Sequence, residues 1–282
     1  MNRKARTSRY TTLTIKYIVC IVLALLSILP FWVMFVNATR STTEIQARAI
    51  SLIPSNNLAY NFKVFEGKSF DAWIGFKNSM IVSVGATLCT VYFSLLTAYA
   101  LTAYHWKMRQ PFFTFIMAVL MVPAQVSSIG FYQFMYKLGW TNSFLPLILP
   151  GIAAPSSVFF MRQFLLGALN LDIVDSARID GASEFYTFNR IVVPIARPAL
   201  ATQAIFAFVA SWNNLFTPLI LLSSREKYTM PIMVSLLRGD IYKTEYGSIY
   251  LGLSLTVLPI FIMYFLLSRY IIEGVALGSI KE

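Results

Sequence analysis

The chain has 282 residues, of which 57% are hydrophobic and only 12% charged, with a formal charge of +11. That balance inverts the one found in soluble domains, so the positive charge is not read as a nucleic-acid footprint. A chain of this length holds about six membrane spans of roughly 20 residues each.

The N-terminal tail, 1–14, carries Arg3, Lys4, Arg6 and Arg9 ahead of an apolar run at 15–36. The run is too long for the apolar region of a signal peptide, so an uncleaved first helix is expected. Basic residues bordering a first span hold that end on the cytoplasmic side. Further apolar runs follow at 79–104, 111–136, 143–165, 199–222 and 247–269. Each is long enough to cross a hydrocarbon core of about 30 Å as a helix, which satisfies its own backbone there. The expected architecture is all-α and polytopic, with six transmembrane helices over 15–269. A cytoplasmic loop is expected at 166–198 and a cytoplasmic tail at 270–282. Pro30, Pro123, Pro150, Pro155, Pro218 and Pro259 lie in or near the runs and predict kinks.

Two sizeable segments, 37–78 and 223–246, fall on the outer side. The first carries Tyr60, Phe62, Phe65, Phe70 and Trp73. It either caps the helix ends or offers a surface to an extracytoplasmic partner, and both readings stand.

No acidic, basic or histidine residue occupies the middle of any run. Proton-coupled carriers keep such residues in their spans as relays, so proton coupling is disfavoured; sodium coupling through unwound carbonyls stays open. No glycine-rich phosphate loop is present, so the chain binds no nucleotide by that route. Cys20 and Cys89 both lie in apolar runs and indicate neither a disulfide framework nor a metal cluster. His105, beside Trp106 and Lys107, has no partner for a catalytic pair and reads as an interfacial anchor. No catalytic residue, metal ligand or cofactor site is expected on this chain.

The loop between the fourth and fifth runs is the exception to this featureless surface. Asp172 is expected to cap a helix starting at Ile173, with Asp175 in its first turn. Asp175 and Arg178 have the spacing of an i,i+3 pair on an exposed face. Gly181 supplies a position that can turn left-handed, letting one short helix stop and another begin. Ile173, Ala177 and Ile179 would present a small apolar surface. A second, aromatic and amphipathic stretch runs from Glu184 to Val193 and is expected to end at Pro194. An ordered helix–glycine–helix segment between spans makes little sense as a linker and good sense as a docking element for another protein.

These residues resemble the EAA motif of ATP-binding-cassette importer permeases. Asp175-Ser176-Ala177 stands for its start, Gly181 for its glycine, and Ile191 with Pro194 for its end; Arg178 and Asp180 lie between. Asp at 175 and Ser at 176 depart from the usual residues. The stretch Ala177–Ala182 is similar to the carbohydrate branch, and to the second, G-like, permease of maltose-type systems. Trp212-Asn213-Asn214-Leu215-Phe216-Thr217-Pro218 and the segment 274–281 agree with it in the expected order. The resemblance implies the type I importer permease fold in a plasma or inner membrane, with both termini cytoplasmic. It implies a second permease subunit and two ATPase subunits that carry ATP and Mg. It further implies an extracytoplasmic sugar-binding protein and a sugar substrate. In that frame Asp175 to Gly181 is the coupling helix seated on the ATPase.

A neutral sugar needs amide and hydroxyl partners and aromatic faces, and no buried charge. Phe208, Ser211, Trp212, Asn213 and Asn214 in the fifth run, and Phe159 and Phe160 in the fourth, supply such groups. Those polar residues equally serve to join helices by hydrogen bonds, so both readings are kept. The alternative to the pump as a whole is a sodium-coupled or facilitative carrier working alone.

Overall fold

A computed structural model describes residues 3–67, 72–238 and 244–279. In chain order its α-helices are α1 (Arg3–Ala38), α2 (Thr42–Ala47), α3 (Leu58–Gly67), α4 (Ala72–Ala103), α5 (Arg109–Val119) and α6 (Ala124–Lys137). They continue with α7 (Leu145–Ile148), α8 (Pro155–Ala168), α9 (Leu171–Ile179), α10 (Glu184–Thr187) and α11 (Val193–Ile195). The last are α12 (Arg197–Trp212), α13 (Phe216–Leu221), α14 (Met230–Arg238) and α15 (Tyr246–Ser279). No strand occurs among the described residues.

The chain divides into two units, residues 1–70 with 234–257, and residues 71–233 with 258–282. In the first, Ser41 and Glu44 form a reciprocal cap at the start of α2: the Ser41 N–H donates to the Glu44 carboxylate at 2.7 Å. Arg40 is buried and donates to the Arg48 and Glu44 carbonyls, each at 2.8 Å. Asn61 reaches back to the Ala38 and Arg40 carbonyls at 2.9 Å. A Cβ on Gly247 would overlap the Arg40 carbonyl and the Asn61 amide, so α15 begins where only glycine fits. The segment at 37–78 therefore has an ordered polar interior over its described part. Phe70 and residues 239–243 lie outside the described residues.

In the second unit α4 packs between α8 and α12. Gly151, in a 3-10 turn over Leu149–Ile152, lets α4 come close: an added Cβ would sit 2.8 Å from the Ala86 carbonyl oxygen. One buried cluster joins Leu95, Ala98 and Tyr99 of α4 to Met161 and Leu165 of α8, and to Ala199 of α12. Val174 of α9, with Phe188 and Val192, belongs to the same cluster. Between spans in lipid such a cluster is held by van der Waals packing, which small residues such as Ala98 and Ala199 permit by letting the backbones approach.

Among the described residues four apolar helical stretches are long enough to cross a membrane: Leu13–Ala38, Trp73–Ala103, Leu145–Ala168 and Tyr246–Ser268. The remaining apolar runs are interrupted. The run at 111–136 divides into α5 and α6, because Pro123 is extended (φ −62°, ψ 126°) and Pro disfavours helix in the residue before it. The run at 199–222 stops at Trp212 and resumes at Phe216, with Asn214 holding the Thr217 N–H at 3.2 Å across the gap. The run at 143–165 continues to Ala168 after its 3-10 turn.

Candidate functional site

Two corrections apply to the loop at 166–198. Its first helix starts at Leu171, and the cap is Asn170, whose side-chain oxygen accepts the Asp172 N–H at 3.0 Å. Asp172 is therefore a first-turn residue, where its charge suits the helix dipole, and Asn170 takes the capping role. The second helix also runs past Pro194. The Val193 N–H bonds to the Phe188 carbonyl, a π turn over Phe188–Val192 that widens the helix before the residue lacking an N–H. The chain turns instead at Ala196, where the axes of Glu184–Ile195 and Arg197–Trp212 diverge by 81°.

Between the two helices Gly181 has φ +77°, a conformation other residues adopt only with strain, and its Cβ direction is open. The Ala182 N–H closes the turn on the Ala177 carbonyl at 2.9 Å. Ser183 then caps the second helix by accepting the Tyr186 N–H at 3.3 Å. Asp175, Ser176 and Asp180 are exposed, and Ile191 and Pro194 are half-buried. Ile173, Phe185, Tyr186 and Ile179 stand out from the loop, the last 86% exposed. Ala177 does not join them. It faces inward with Val174, because positions 174 and 177 share the buried side of a 3.6-residue period.

A charged clamp ties this loop to α4. Arg178 donates to Asp175 at 2.9 Å, the expected i,i+3 pair, and to Glu184 at 2.7 Å. Glu184 also accepts the Tyr99 hydroxyl at 3.0 Å and the Tyr104 hydroxyl in a shorter bond. The Arg178 guanidinium carbon lies 5.2 Å from the centre of the Tyr104 ring. The hydrogen bond from Arg178 holds the Glu184 carboxyl below the usual carboxylate range, and the same bond holds Arg178 more firmly protonated. Both groups are partly exposed, so the ion pair itself is worth about 0.2–1 kcal/mol. Its role is geometric: one carboxylate joins both loop helices to the span. Sequence reading missed Glu184, Tyr99 and Tyr104; the available signal was an acid three residues after the glycine facing two tyrosines one turn and a half apart.

The fifth-run residues separate into two groups. Phe208 and Trp212 are buried, stacked at 5.6 Å, and Trp212 meets Phe76 edge-on at 5.7 Å. Ser211 and Asn214 line two adjoining cavities of about 480 and 410 Å³. Asn213 is exposed. Ser127, Ser128 and Thr217 add hydroxyls to the larger cavity. Thr90, Ser157 and Gln203 add polar groups to the smaller, where Ser157 donates to Gln203 at 3.0 Å. Gln203 was missed, although an amide inside an apolar run was the signal for it. Phe159 stacks on Phe113 at 6.4 Å, and Phe160 packs on the α4 cluster. A bigger cavity of about 610 Å³ is walled by Leu88, Phe93, Leu95 and Leu200, and offers a hydroxylated solute far fewer partners. No group of metal-ligating side chains occurs among the described residues.

Comparison with known proteins places these features. A family model described as binding-protein-dependent transport system inner membrane component matches residues 91–276. The chain is 34% identical to the arabinooligosaccharides transport system permease protein AraQ of Halalkalibacterium halodurans, over 92% of this chain and 93% of that protein. It is 28% identical to the trehalose/maltose transport system permease protein MalG of Thermococcus litoralis, over 93% and 94%. Its fold is similar to a chain in the crystal structure of a bacterial ABC transporter involved in the import of the acidic polysaccharide alginate. That likeness has a TM-score of 0.78 at 21% identity and covers 96% of this chain and 98% of the other.

Proposed function

We propose, because this chain belongs to the family of binding-protein-dependent transport system inner membrane components, that it is the permease subunit of an ATP-driven sugar importer. Relatives named for arabinooligosaccharides and for trehalose and maltose make oligosaccharides the favoured cargo. A carrier working alone finds no support among them. The observation that carries the reading is the Glu184 junction, where a solvent-facing loop is fastened to a span by Arg178, Tyr99 and Tyr104.

In this reading the chain crosses a plasma or inner membrane six times, with both termini and the loop 166–198 cytoplasmic. A second permease completes the pathway. Two ATPase subunits bind ATP and Mg and grip the loop through Asp175 to Gly181 and the outward Ile173, Ile179 and Phe185. Closure of the ATPases moves the loop, and Glu184 passes the displacement to α4. ATP acts through its preference for the closed arrangement, which biases the spans between two states. Ser211, Asn213 and Asn214, with Gln203 added, line the pathway for a neutral polyol. An extracytoplasmic binding protein delivers the sugar to the outer segments, and the tail reaches toward the ATPases; its last residues, 280–282, lie outside the described ones.

Affinity purification of this chain from membranes tests the reading. An ATPase subunit is expected to co-purify, and the double substitution Asp175→Lys, Gly181→Val to abolish its recovery. Recovery unchanged by that substitution, or no ATPase with the native chain, overturns it.

A further inference from the structure

Two arginines near the loop at 104–110 have no part in the transport reading. Arg162, on α8, places its guanidinium carbon 4.1 Å from the centre of the Phe113 ring. Its Nε is buried and makes no hydrogen bond. Phe113 stands one turn beyond Arg109 on the same side of α5, so the ring that Arg162 covers is Arg109's i+4 neighbour. Arg109 spends one N–H on the Tyr104 carbonyl at 3.3 Å. Among the described residues the ion pairs join Arg178 to Asp175 and Glu184, and neither Arg109 nor Arg162 enters one.

Two neighbouring guanidiniums with no carboxylate repel each other, and a buried N–H without an acceptor carries its own desolvation cost. A bound anion removes both penalties, and a phosphate oxygen pair matches the guanidinium fork. The surroundings say where that anion comes from. Trp106 and Phe112 pack at 5.9 Å and both are exposed, as is Met108, beside Lys107. Exposed aromatics with basic residues at the end of a span are the composition of the headgroup region. Basic pockets between helices on the cytoplasmic side attract anionic lipid headgroups.

We propose that Arg109 and Arg162 hold the phosphate of an anionic phospholipid, with Trp106, Phe112 and Phe113 against its glycerol and upper acyl carbons. The assignment rests on the cytoplasmic placement of 104–110 proposed above. The test uses the assembled complex in detergent, stripped of lipid and titrated with phosphatidylglycerol or phosphatidylcholine, retained lipid being read by native mass spectrometry. Phosphatidylglycerol is expected to be retained preferentially, in the presence of excess inorganic phosphate. Arg109→Ala and Arg162→Ala are each expected to weaken that retention about fivefold. Equal retention of the two lipids, equal retention by native and substituted complexes, or displacement by inorganic phosphate overturns the proposal. So does dissociation of a partner subunit from the Arg162→Ala complex, which would assign a partner carboxylate to this arginine. Should Arg162→Ala not assemble at all, Arg109→Ala, at the start of α5 and only half-buried, decides the question alone. Labelling of Lys107→Cys by an impermeant maleimide, with Cys20 and Cys89 replaced by Ser, reads the orientation separately. Modification from outside the cell overturns the topology, whereas the lipid titration reports binding in either orientation.

Discussion

Glu184 gathers three donors on one carboxylate, Arg178, Tyr99 and Tyr104, and Arg178 carries the link on to Asp175. Replacing it with Gln keeps the shape and removes the charge that holds Arg178. Glu184→Gln is expected to leave the complex assembled and to lower sugar uptake per ATP hydrolysed several-fold, measured in proteoliposomes; unchanged stoichiometry contradicts a transmitting role. The pH sign follows from the same contact. A carboxyl whose pKa is depressed in the folded chain stabilises it above the ordinary carboxylate range, near pH 4, and loses that contribution as pH falls through the lowered value. Coupling lost through this clamp is therefore expected only under strong acidification, and not between pH 7 and 5. At Gly181 the φ of +77° makes any side chain costly by about 1–2 kcal/mol. Gly181→Ala is expected to weaken ATPase recovery about tenfold while the spans stay folded, as read by thermal stability of the isolated subunit.

Among the elements, α12 shows how much the sequence discloses and where it falls short. The apolar run at 199–222 was legible because a helix crossing lipid needs such a run. The break at Asn213 was not, since its cause is a side chain, Asn214, taking over the Thr217 N–H. Which residues face a cavity was also hidden. Phe208 and Trp212 read as sugar platforms, yet they are buried against one another and Phe76, while Ser211 and Asn214 face open space. Composition cannot tell these apart, because the deciding factor is which neighbour covers each face. Trp212→Ala is accordingly expected to cost roughly 3–5 kcal/mol of stability, visible as a lowered melting temperature of the purified subunit. Asn214→Ala, in contrast, is expected to leave melting nearly unchanged and to raise the sugar concentration for half-maximal transport. The loop was the most legible element. Left-handed Gly181 and the Asp175–Arg178 pair follow from local spacing, whereas the Glu184–Tyr99 contact joins residues 85 apart and could not.

For the molecule as a whole, the physical premise is that spans without an ionisable relay are moved by a neighbour that consumes nucleotide. The fold matches that of an importer chain, and the loop's inner face is one cluster with the spans it would move. The chain offers no relay of ionisable groups in its apolar runs to draw on an ion gradient instead. The most direct measurement is therefore reconstitution. Liposomes containing this chain with its second permease, ATPase subunits and binding protein are expected to accumulate labelled oligosaccharide against a gradient only when ATP is supplied. Liposomes with this chain alone are expected to accumulate none, and accumulation there, with or without a sodium gradient, would contradict the account.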